Sequence, residues 1–155
     1  MMKPLIGLGA VVVVAGLWYA FRPEKLFIDE TVNESLSAEG KAFLSGTFHS
    51  GAHETKGMAT IFNLPGGKRL LRLTGFETSN GPDVQVYLVK AGDATDNDTV
   101  KDAGFVNLGA MKGNVGDQNY EVPSDVDLGA HRAVTIWCRR FGVNFGTAPL
   151  RPANS

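Results

Sequence analysis

Asp83-Val84-Gln85-Val86-Tyr87-Leu88-Val89 is the stretch whose reading decides the fold. Val84, Val86 and Leu88 point to one side of an extended chain, and Gln85, Tyr87 and Val89 to the other. That is the period of two expected of a half-buried β-strand. Asn80-Gly81-Pro82 breaks the chain just before it. The same rhythm of short apolar runs and turn residues extends in both directions. Upstream lie Phe43–Phe48, Gly57–Phe62 and, after the strong turn Pro65-Gly66-Gly67, the run Lys68–Leu73. Downstream lie Phe105–Leu108, Gln118–Val122, Ala133–Cys138 and Phe141–Phe145. No segment of this region sustains a helical period. Closely spaced strands with turns between them predict an all-β domain of about eight strands, an antiparallel β-sandwich or a small barrel.

The N-terminus has a different character. From Leu5 to Phe21 there is no charge, and Trp18 and Tyr19 stand at the far end of the run, before Arg22. A stretch of about 17 apolar residues is at the short end of what crosses a bilayer as a helix, and amphipathic rings favour its interface. Residues 1–22 are therefore expected to be a transmembrane anchor, with a cleaved signal segment as the rival reading. The membrane is the expected partner of residues 5–21. Residues 23–40 mix acids and small polar residues and are expected to form a tether. The β domain then occupies residues 41–155. A folded domain behind a single N-terminal apolar segment is usually exported, which predicts a periplasmic or extracellular location.

At 155 residues the chain has room for one such domain. A formal net charge of -1 provides no concentrated basic surface, so nucleic acid is not an expected partner. The chain has one cysteine, Cys138, in Trp137-Cys138-Arg139-Arg140-Phe141. Exported domains usually pair their cysteines, and this one has no mate within the chain. It is a buried inert thiol, a reactive thiol, a ligand, or half of an intermolecular bridge. Strand alternation puts Cys138 on the face of Val134 and Ile136, opposite Thr135, Trp137 and Arg139. On that reading it is a small core hydrophobe. A guanidinium from Arg139 or Arg140 beside the sulfur would instead favour the thiolate.

Three segments together resemble the DM13 domain family, described as an electron-transfer domain. They are Phe76–Asp83 running into Val86-Tyr87-Leu88, then Leu108–Pro123, then Trp137–Ala148, with His53 and Gly57 fitting a further position. The resemblance covers residues 44–150. It implies a β-rich domain whose signature cysteine, here Cys138, does redox work as a free thiol or holds a prosthetic group, a haem or a metal ion. Cys138, His53 and Trp137 are the cofactor-binding candidates, and Cys138 the catalytic one. His49, His131, Met58 and Met111 are further possible axial ligands for a haem. A dithiol mechanism within the chain and c-type haem attachment are both excluded, since there is no second cysteine. The expected partner is a redox or envelope protein. The competing function is a non-catalytic interaction module of the cell envelope, with Cys138 in the core. The acidic loop Asp93-Ala94-Thr95-Asp96-Asn97-Asp98 lacks calcium-loop spacing and reads as solvated. Asp83 reads as a structural turn carboxylate.

Overall fold

The computed structural model describes residues 4–21, 28–36 and 39–154. Among the described residues ten strands form two antiparallel sheets of five. The strands are β1 (Lys41–Thr47), β2 (His49–Ser50), β3 (Lys56–Asn63), β4 (Arg69–Glu77), β5 (Val84–Val89), β6 (Phe105–Ala110), β7 (Gln118–Val122), β8 (Ala133–Cys138), β9 (Val143–Pro149) and β10 (Arg151–Pro152). One sheet has the order β10-β1-β3-β4-β7 and the other β2-β9-β8-β5-β6. Each sheet keeps two edges, so the domain is a sandwich and not a closed barrel. All eight expected strands are present. The two additional ones, β2 and β10, are two residues long, too short to leave a period in the sequence.

The core lies between the sheets, where alternation sends one side chain in two inward. Leu44, Ala59, Ile61, Leu71 and Leu73 come from the first sheet. Val84, Val86, Leu88, Val134, Ile136 and Ala148 come from the second. At the end of β4 the alternation shifts by one. Gly75, at φ 55°, supplies an extra residue opposite Gly57. This bulge turns Phe76 inward, where it meets Phe48 at 5.4 Å between ring centroids.

β5 departs from the expectation of a half-buried strand, because all six of its residues are buried. On the outer face Tyr87 is stacked by Phe105, and a short helix packs against the strand's Tyr87 and Val89 end. The N-terminal helix α1 (Pro4–Phe21) comes first in the chain, and the covering helix is α2 (Asn97–Ala103). α2 arises from the segment read as a solvated acidic loop. Asp96 accepts a hydrogen bond from the Thr99 amide at 2.7 Å and so caps the helix. Val100 then reaches a second apolar cluster with Tyr87, Val89, Ala94, Ala133 and Trp137.

α1 spans 18 residues without a charged side chain. Its rise of about 27 Å falls just below a hydrocarbon core of ~30 Å. Among the described residues no helix is long and apolar enough to cross a membrane. The expected transmembrane segment is thus present as a helix but is not supported as a span. Val11 to Val14, Leu17, Trp18 and Tyr19 are all exposed.

Residues 28–36, within the expected tether, lie along the loop that precedes β7. The Val32 amide donates to the Val115 carbonyl at 2.8 Å, and the Glu34 amide to the Asp117 carbonyl at 2.9 Å. Behind that loop, Gln118 is fully buried and accepts a hydrogen bond from the Tyr120 hydroxyl. Burial pushes the Tyr120 phenol up to about 12 from its ordinary value of 10.0. A phenol with a raised folded value contributes its full stability below pH 10 and loses it as pH rises through 12. Alkaline unfolding followed by circular dichroism is expected to show a loss on the order of 3 kcal/mol across that window. Tyr120→Phe is expected to flatten the loss; an unchanged profile in that variant contradicts the assignment.

Candidate functional site

Cys138 ends β8, and its backbone pairs with Val84 on one side and Val143 on the other. Alternation holds along the whole strand. Val134, Ile136 and Cys138 enter the inter-sheet core, while Ala133 and Trp137 enter the outer cluster beneath α2. Cys138 is 0% exposed. Its sulfur is a free thiol among aliphatic and aromatic side chains. Buried structural cysteines in apolar surroundings are poor nucleophiles, since the reactive thiolate would be desolvated there.

Arg139 leaves this face. Arg139 Nε donates to Asp83 Oδ2 at 2.9 Å, and the Arg139 amide donates to the Asp83 carbonyl at 2.9 Å. The Asp83 carboxylate also accepts from Gln85 Nε2 at 2.8 Å. Asp83 thus organises the entry to β5, as its turn position suggests. Arg140 is exposed. Neither the strand geometry nor this ion pair turns a guanidinium toward the sulfur.

His53 is half-buried, with its ring 4.1 Å from the Phe145 ring between centroids. Phe145 belongs to the same core cluster as Cys138, so the two candidates share a neighbour. The loop carrying His53 is fastened by Thr55, whose hydroxyl donates to the Phe145 carbonyl at 3.0 Å. The other ligand candidates are dispersed. His49 pairs with Asp93 at 2.6 Å and His131 with the Asp127 carbonyl at 2.9 Å. Met58 is exposed on β3, and Met111 packs at the margin of the core. Among the described residues no three His, Cys, Asp or Glu side chains converge on one point. Cys138 therefore belongs to no metal centre of three such ligands among the described residues. A cavity of about 630 Å³ is lined by Lys68, Arg69, Asn107 and Pro123 and contains none of the three candidates.

Trp137 has a more distinctive setting. It is 5% exposed, and its ring stacks on Tyr87 at 6.2 Å. Tyr87 stacks in turn on Phe105 at 4.0 Å, with the rings 4° from parallel. Phe105 is 46% exposed, so the row connects solvent to the strand of Cys138. Burial raises the Tyr87 phenol above its ordinary value, which keeps it neutral. The sequence reading missed Tyr87 and Phe105. The available signal was the odd parity of Tyr87 in β5, which it shares with Trp137 across the β5–β8 ladder.

The family model described as electron transfer DM13 matches residues 47–150, more than half of the chain. The chain belongs to the DM13 family. The match begins at the last residue of β1 and ends before β10, so it covers β2 to β9 and leaves most of the β10-β1 edge of the first sheet outside. No curated protein and no solved structure matches the chain. Cys138 lies within the matched residues and occupies a core position at the end of a central strand.

Proposed function

We propose that this DM13 domain serves electron transfer as a membrane-anchored docking module on the extracytoplasmic side, placing a redox partner without carrying a redox centre at Cys138. The sealed position of Cys138 carries this reading. A sulfur fully buried in the inter-sheet core is neither an exchanging thiol nor an open ligand position. The electron-transfer context rests on the family. Anchoring is supported by α1, an uncharged helix whose exposed apolar residues run from Val11 to Tyr19. Trp18 and Tyr19 at its end suit a headgroup boundary.

A second reading is favoured by the aromatic row. Stacked rings from Phe105 through Tyr87 to Trp137 offer a path by which an electron crosses from a docked partner to the strand of Cys138. In this reading the domain relays an electron as well as docking.

The test is the visible spectrum and metal content of the full chain, purified in detergent from a native-like host. Docking without a resident centre predicts a colourless protein without stoichiometric metal. A stoichiometric visible band or metal that disappears in Cys138→Ala would overturn the proposal and restore Cys138 as a ligand. Slower electron passage from a docked partner in Trp137→Leu would select the relay reading.

A further inference from the structure

We propose that residues 28–36 form a built-in strap that mounts the sandwich on the membrane in one orientation, with the Glu77–Pro82 end next to the bilayer. This rests on the anchoring reading above. Three kinds of observation carry it.

The first is the groove that receives the strap. A Cβ on Gly116, at φ 107°, would lie 1.9 Å from the Val32 carbonyl oxygen. A Cβ on Gly113 would lie 2.4 Å from the Glu30 carbonyl oxygen. These two glycines let the strap backbone approach the loop, and any other residue fills its path. The glycines of Lys112-Gly113-Asn114-Val115-Gly116 thereby acquire a role that a tight turn alone does not require.

The second is the set of side chains aimed at the strap. Asn114, 1% exposed, accepts from the Glu30 amide at 2.7 Å and donates to Asp29 Oδ1 at 2.8 Å. Arg72 donates to the Glu34 carbonyl at 2.9 Å, and Lys112 Nζ pairs with Glu34 at 2.7 Å. Asn119 donates to the Ser35 carbonyl at 3.0 Å. A passive tether would not be held by polar side chains at successive residues, with the buried Asn114 among them.

The third is polarity of travel. The strap starts at Ile28, whose carbonyl accepts from Asn80 at 3.3 Å, and reaches the middle of β4 at Arg72. Thr31 bridges Val115 in parallel. The chain therefore enters from the membrane side at the Asn80 end of β4. Only residues 22–27 separate Ile28 from α1, a reach of at most ~25 Å. β4 itself is nine residues long, about 27 Å from end to end. The Pro65–Gly67 turn at its other end must then face away from the bilayer. Cys138 pairs with Val84 and so lies at the proximal end.

The experiment uses the full chain in lipid vesicles whose headgroups carry a fluorescent acceptor. A donor dye is attached at Glu77→Cys or at Lys68→Cys, and the chain is first shown to float with the vesicles. Energy transfer is expected to be higher from position 77 than from position 68. Val32→Pro, which removes the Val32 donor, is expected to abolish this difference while leaving the denaturation midpoint of the sandwich in place. Hydrogen exchange supplies an independent readout: the Val32 and Glu34 amides are expected to be protected at least ~10-fold in the native chain, and the Glu34 amide to be released in Val32→Pro. Equal transfer from both positions in floating protein, or unprotected amides, overturns the strap mount. Failure to float with protected amides overturns the anchoring reading, and the orientation with it, while the docked strap stands.

Discussion

Phe76→Ala is expected to destabilise the domain by about 3–5 kcal/mol, the cost of removing a buried aromatic ring and leaving a cavity. Phe76 is 1% exposed and is among the largest fully buried side chains. It faces Phe48 across 5.4 Å. Its inward direction depends on the bulge at Gly75, which fixes the backbone on both sides and limits collapse around the void. Phe76→Leu keeps much of the volume and is expected to lose only about 1 kcal/mol. Urea unfolding curves distinguish the two. Equal, small losses would mean that the end of β4 is not packed as described.

Cys138 gives the second large effect, and its direction separates a core residue from a reactive one. Cys138→Ser places a hydroxyl in the inter-sheet core and is expected to cost about 1–3 kcal/mol. Cys138→Ala deletes one sulfur atom and is expected to cost about 1 kcal/mol. In both variants partner-dependent electron transfer in cells should persist wherever the domain remains folded. Loss of that activity in a Cys138→Ala domain of near-native stability contradicts the docking reading and returns the chemistry to the sulfur.

Much of the sandwich was legible because its core strands alternate cleanly. Val84, Val86 and Leu88 share a face with Val134, Ile136 and Cys138, as their parity requires. The burial of the opposite face was not legible. Tyr87 and Trp137 are covered by α2, whose seven residues are too few to show a helical period. Its start was written in Asp96 and Thr99, a capping pair hidden within an acidic run. The resemblance to DM13 drew attention to Cys138 but said nothing of its accessibility, which depends on a core built from both sheets. Residues 28–36 read as a tether because polar side chains satisfy a docked backbone as well as a solvated one. The clearance at Gly113 and Gly116 and the hydrogen bonds from the buried Asn114 distinguish the two cases.

The central claim is that Cys138 is closed to solvent, and the rate of its reaction with a small water-soluble thiol reagent tests it most directly. The full native chain is expected to react about 10³-fold or more slowly than the denatured chain, because labelling must await opening of the core. Reaction of the native chain at the rate of an exposed thiol would contradict the account, and would make Cys138 a working thiol after all.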